Sequence, residues 1–199
     1  YPFLSRPLTE VNPLDFDYLQ YTAADYDRGS VLDQLMKAYG RDVWNFALML
    51  TRNRDSADDI AQDVFLKVYE KLPEFRGQSS VKTWILTITR HAALDQLRSS
   101  WVRRVMLLEF LPGGHHPSAE KELFKRLQNE EVWLAVLALP LKLREVLLLT
   151  CHYGMSMEET AGLLGVAKGT VKSRLHRARA AMNRKVTASE ALNVGGEWI

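Results

Sequence analysis

Along the chain, apolar residues recur at three- and four-residue intervals, while the strict alternation of a half-buried strand is scarce. The spacing predicts helices over about 32–50, 56–72 and 80–98, then over about 120–139, 140–153, 157–164 and 168–185. Pro73 stops the second, because the residue before a proline is pushed out of the helical region. Pro140 suits the first turn of the helix it opens. On the second helix Ala57, Ala61, Val64, Phe65, Val68 and Leu72 make the buried side. On the third, Val81, Ile85, Ile88 and Ala92 form a core stripe that reaches Asp95, and Leu86, Leu94 and Leu97 make another side apolar. That helix is expected inside a bundle, with Asp95 a buried carboxylate in need of a partner.

The strongest breaker cluster is Leu111-Pro112-Gly113-Gly114-His115-His116-Pro117-Ser118,. It divides an all-α chain into two small helical domains joined by an extended linker. The expected organisation is an arm over 1–27, a first domain over 28–100, a linker over 101–128, a second domain over 129–186 and a tail over 187–199. The arm holds Pro2, Pro7 and Pro13, then Asp15, Asp17, Asp25 and Asp27. It reads as an extended inhibitory or partner-binding segment, ordered by that partner.

Of 199 residues, 47% are hydrophobic and 25% charged, which excludes wholesale disorder,. The single cysteine, Cys151, excludes an internal disulfide and a Cys-rich zinc module,. The longest apolar run, 132–141, is ten residues and contains Pro140, too short for a membrane span,. The first residues lack the basic-then-apolar pattern of a signal peptide,. A cytoplasmic chain without membrane insertion is expected.

Net charge of +2 hides an asymmetry. Residues 166–185 carry seven Lys and Arg and no acid, leaving 19 basic and 24 acidic residues elsewhere. A basic stripe on an otherwise acidic chain points to nucleic acid at one end and a basic protein partner at the other.

The stripe lies on a recognisable pair of helices. Ser156-Met157-Glu158-Glu159 fits a capping box, and Gly165 suits the end of the helix it starts,. A second helix follows within about three residues, the signature of a helix-turn-helix. There Val171, Leu175, Ala178 and Met182 share one stripe, while Gly169, Ser173 and His176 lie opposite, flanked by Thr170, Lys172 and Arg177, with Lys168, Arg174 and Arg179 at the borders. Short polar side chains between long cations suit a helix in the major groove, the centre reading bases and the flanks holding phosphates. A solvated basic helix is the plain alternative, and leaves the missing acids unexplained. Lys168-Gly169-Thr170 is not a phosphate loop, since the preceding glycines and strand are missing.

On the 56–72 helix Asp59, Gln62, Asp63, Leu66 and Glu70 cluster on the side away from the core. Two readings stand: a solvated face with one exposed leucine, or a docking surface for a basic partner anchored by Leu66. Around the third helix, Phe75, Arg76, Ser79, Ser80, Lys82, Thr83, Arg90 and His91 mix aromatics, hydroxyls and cations, with Trp101, Arg103 and Arg104 beyond. Such a mixture suits single-stranded nucleic acid, whose bases stack and whose phosphates need neutralising. Trp84 fits a core position as readily as a stacking platform.

These segments together resemble bacterial RNA polymerase sigma factors of the extracytoplasmic-function (ECF) group. Residues 57–65, Phe75-Arg76-Gly77, 81–85 and 93–98 look like region 2. Leu139-Pro140, Glu145-Val146, Gly154-Met155-Ser156 and 165–179 look like region 4. The resemblance implies that Asp59, Gln62, Asp63 and Leu66 contact the coiled-coil clamp of the polymerase β′ subunit, with further contacts to β. It implies that Phe75, Arg76, Ser79, Ser80, Lys82, Thr83, Arg90 and His91 hold the melted −10 element. It implies that Lys168, Gly169, Thr170, Lys172, Ser173, Arg174, His176, Arg177 and Arg179 read the −35 duplex. The linker would thread toward the active-site channel, and an anti-sigma factor would hold the protein inactive, in some members at the inner membrane face. Ala167 stands where the family usually has a helix-capping Ser, and His91 where Asn is frequent.

Two other classes are weighed. A stand-alone helix-turn-helix regulator needs neither the acidic helix nor the strand-binding segment. An enzyme needs a nucleotide loop, a His-Glu zinc helix or a nucleophile constellation, and none is present. His115-His116 and Cys151-His152 are the sole pairs that suggest a metal, a coincidence more often than a site. No cofactor and no catalysis are expected.

Overall fold

The computed structural model describes residues 27–107 and 130–194, with side chains over 27–101 and 132–184. The arm, the 111–118 breaker cluster, the start of the expected 120–139 helix, the His115-His116 pair and the end of the tail lie outside the described residues. The described residues are helices and their connections, as the period predicts. They form two compact units, one of residues up to Ala47 with Arg54–Ala93, the other of Leu48–Asn53 with residues from Leu94 onward.

Helix α1 spans Arg28–Thr51, with its residues to Ala47 in the first unit. Asp27 caps it, accepting from the N–H groups of Gly29 at 3.1 Å and Ser30 at 3.2 Å,. After Arg52, which takes a left-handed φ of 58°, α2 spans Arg54–Lys71. A short 3₁₀ turn, Leu72–Glu74, ends it one residue before the expected Leu72, with Pro73 supplying the stop,. The loop to residue 80 turns at Gly77, whose φ of 66° favours glycine,.

Helix α3 spans Val81–Leu107. It runs past the expected end at 98 because no Gly or Pro interrupts it,. Val43, Phe46, Val64, Val68, Ile85 and Leu86 fill the core. At ~1.5–3 kcal/mol per fully buried large aliphatic side chain, this apolar contact is the main driving force for the unit. Polar ties fix the register: Trp44 Nε1 donates to Asp58 Oδ1 at 2.6 Å, and Lys82 pairs with Asp42 at 3.2 Å.

Asp95 corrects an expectation. Its side chain is 70% exposed, 3.6 Å from Arg98, because the buried stripe of α3 ends at Ala93. The carboxylate is solvated and needs no buried partner.

In the second unit α4 spans Glu130–Leu137 and α5 Leu141–Leu147. Pro140 stands at the N-cap of α5, just outside its first turn. α5 then widens into a π-helical turn, Leu148–His152, that no sequence signal foretold,. α6 spans Met157–Leu164, and α7 spans Lys168–Val194, longer than the expected 168–185 because the next breaker is Gly195. Val146, Leu149, Leu163, Leu164, Val171 and Leu175 are buried. Among the described residues no helix is long and apolar enough to cross a membrane.

Candidate functional site

Helices α6 and α7 are set by local chemistry. Ser156 Oγ accepts from the Glu159 N–H at 3.1 Å, and Glu159 Oε2 accepts from the Ser156 N–H at 2.9 Å, closing the box reciprocally. Gly165, with φ 65° and ψ 40°, ends α6 in the left-handed conformation. Its N–H reaches the Gly162 carbonyl at 3.2 Å, and the Val166 N–H reaches Ala161 at 3.1 Å, which turns the chain directly into α7,.

On α7, Val171, Leu175 and Ala178 face the core and Met182 is half-buried. Lys168, Gly169, Lys172, Ser173, His176 and Arg177 are exposed, while Thr170 and Arg174 are half-buried. Ser173 Oγ donates to the Thr170 carbonyl at 3.0 Å, and Arg177 Nε leans toward the Ser173 carbonyl at 3.4 Å. Lys168 pairs with Glu158 of α6, and its hydrogen bond holds the Glu158 carboxyl below the usual 4.5. Arg179 stands apart, with Nη2 3.7 Å from Cys151 Sγ.

On α2, Asp59, Gln62, Asp63 and Glu70 are all exposed. Leu66 is 63% exposed among them, and Tyr69 beside it is 42% exposed. Their spacing places 59, 62, 63, 66 and 70 on one helical face. Among the described residues no cation pairs with Asp59 or Asp63.

At the start of α3, Ser80 is the cap. Its Oγ accepts from the Thr83 N–H at 3.1 Å and lies 2.9 Å from Thr83 Oγ1. Thr83, expected on the exposed side, is buried, and its hydroxyl lies against the Ser80 cap at the helix start. Phe75 and Trp84 pack ring on ring, with centroids 4.9 Å apart. Both are half-buried, so Trp84 is neither wholly core nor wholly platform. Arg76 and His91 are exposed, Ser79 and Arg90 half-buried, and Lys82 is held by Asp42.

The second unit also holds an open, mostly apolar groove of about 310 Å³ lined by residues of α4, α5, the π turn and α7, among them Val132, Trp133, Leu148, Cys151, Arg179 and Met182. The Trp133 and His152 rings meet edge to face at 5.1 Å. Val132, an apolar residue on the short helix α4, is left 42% exposed at this groove. Among the described residues no three His, Cys, Asp or Glu side chains converge as a metal site.

Residues 35–103 match the family model for sigma-70 region 2, and residues 129–182 that for sigma-70 region 4. The ECF RNA polymerase sigma factor SigC of Mycobacterium tuberculosis is 33% identical over 159 residues, covering 77% of this chain and 82% of SigC. RNA polymerase sigma factor YlaC of Bacillus subtilis is 30% identical over 166 residues, covering 79% and 93%. The fold is similar to that of the sigma factor RpoE from Bartonella quintana, solved in complex with the anti-sigma factor NepR. That match has a TM-score of 0.63 at 27% identity and covers 79% of this chain and 98% of RpoE.

The chain belongs to the ECF RNA polymerase sigma factor family. The family consists of non-catalytic transcription initiation factors that bind core RNA polymerase and direct it to promoter DNA. In this sigma factor the acidic α2 face and the start of α3 fall within the region 2 match, and α6 with α7 as far as residue 182 falls within the region 4 match. The exposed groups of the expected −35 set run over 168–179, with Arg179 also lining the apolar groove. Of the expected −10 set, Arg76, Ser80 and His91 are the exposed members.

Proposed function

We propose that the sigma factor docks core polymerase through Asp59, Gln62, Asp63 and Leu66, captures the melted −10 strand at the start of α3, and reads the −35 duplex with the exposed residues of α7. The observation that carries this reading is a pair of contrasting exposed surfaces. One is acidic with an apolar anchor, Leu66; the other is basic and free of acids on its own helix over 168–185. Acid around an exposed leucine suits a basic protein surface, because the leucine supplies affinity and the charges supply steering and register. Lys172, Arg174 and Arg177 around Ser173 and His176 suit a duplex, where cations hold phosphates and short polar groups reach base edges.

At the start of α3, Ser80 and Thr83 build the helix end, while Phe75 backed by Trp84 offers a ring for an unstacked base. Arg76 and His91 offer polar and cationic contacts. The connection over 101–128 threads toward the active-site channel. The protein works in the cytoplasm, performs no catalysis itself and is held inactive by an anti-sigma factor; a similar protein, RpoE, is solved in complex with the anti-sigma factor NepR, which supports the last part of this reading.

The test is binding of the purified chain to core RNA polymerase, followed by transcription from a promoter library. Tight binding with selective initiation supports the reading. Duplex binding without affinity for core would instead make the protein a stand-alone helix-turn-helix regulator.

A further inference from the structure

Lys168 opens α7 at the edge of the basic surface. Among the described cations over 168–177 it alone is paired with an acid: its Nζ donates to Glu158 Oε1 on α6. Both side chains are well exposed, at 62% and 66%. The capping box of α6 uses the neighbouring Glu159, while the Glu158 carboxylate meets Lys168 and its own backbone N–H. An acid therefore stands beside a phosphate-binding surface and holds one of its cations.

Sequence-independent DNA binding depends on cations that displace counterions from phosphates. A lysine already neutralised by a carboxylate contributes less to that process, and the carboxylate itself repels the duplex. An exposed ion pair is weak, so a phosphate can win Lys168 from Glu158, but at a cost. We propose that Glu158 is a positioning residue that restrains Lys168 and so weakens sequence-independent binding to duplex DNA, limiting how much of the protein bulk DNA sequesters. This rests on the reading of α7 as the duplex-facing helix.

The experiment titrates the full chain with a short random-sequence duplex by fluorescence anisotropy over a series of KCl concentrations. Glu158→Gln is expected to tighten binding by about two- to fivefold at low salt. It is also expected to steepen the plot of log affinity against log salt by up to about one ion. In a Lys168→Ala background the same substitution is expected to have a much smaller effect. Equal tightening in both backgrounds would overturn the proposal, because Glu158 would then act as bulk charge and not through Lys168. No tightening in either would also overturn it. Arg174→Glu separates the two levels of the argument. If it weakens binding while Glu158→Gln changes nothing, the duplex-facing reading of α7 stands and the restraint fails. If neither changes binding, that reading fails and the restraint fails with it.

Discussion

Phe75 and Trp84 bind the loop before α3 to the helix itself, their ring centroids 4.9 Å apart and their planes inclined at 41°. The contact fixes the direction in which the loop meets α3, next to the Ser80 cap and the Gly77 turn. A loop held this way presents Arg76 in one orientation and not as a freely moving arm.

Trp84→Ala is therefore expected to cost about 2 kcal/mol of stability in the first unit, less than a fully buried tryptophan because Trp84 is half-exposed,. Promoter opening, read as permanganate reactivity of unpaired thymines, is expected to fall while affinity for core polymerase is kept. Trp84→Phe keeps a ring against Phe75 and is expected to recover most of both. Urea denaturation and footprinting check the pair of outcomes.

Ala167 stands at the cap of α7, where its carbonyl accepts from the N–H groups of Thr170 at 2.8 Å and Val171 at 3.2 Å. Its methyl group offers no acceptor to the remaining free N–H groups of the first turn. Ala167→Ser is expected to stabilise the second unit by about 1 kcal/mol, which thermal melting followed by circular dichroism checks. An unchanged or lowered melting temperature would contradict it.

The Glu158 carboxyl lies below its usual 4.5, chiefly because Lys168 hydrogen-bonds its ionised form, with a backbone hydrogen bond adding in the same direction. A folded value below the unfolded one means the stabilisation is complete above 4.5 and is lost as pH falls through the lowered value,. The ion pair is therefore intact near neutrality and gives no pH sensitivity there. Side-chain NMR titration is expected to find the Glu158 midpoint below 4.5, moving back toward 4.5 in Lys168→Ala. A midpoint unmoved by that substitution would contradict the assigned cause.

Much of the fold was legible because helical periodicity and strong punctuation agree. The Ser156–Glu159 box, the Gly165 cap and the Val171, Leu175, Ala178 stripe each follow from local residue chemistry, and the structure contains them. Helix ends without punctuation were not legible: α3 continues to Leu107 because nothing stops it. Asp95 was misplaced because a stripe extrapolated along a helix takes no account of where the neighbouring helices end. Thr83 was misplaced because a small hydroxyl at a helix start bonds as readily to the cap as to solvent. The π turn at Leu148–His152 and the groove beside it depend on tertiary packing, which periodicity does not carry. Exposure of Leu66 was legible, since its helix neighbours include Asp59, Gln62, Asp63 and Glu70.

That exposure leads to the sharpest expectation. Asp63→Arg with Leu66→Glu reverses the charge at position 63 and removes the apolar anchor, on a face that is exposed. Helicity and melting temperature are expected to stay as in the unsubstituted protein. Equilibrium binding of this double variant to core RNA polymerase is the measurement that most directly tests the account. Affinity at least about a hundredfold weaker, a loss of about 2.8 kcal/mol, is the expected result for removal of a central anchor together with charge reversal. Unchanged affinity in the folded variant would contradict the docking face on α2.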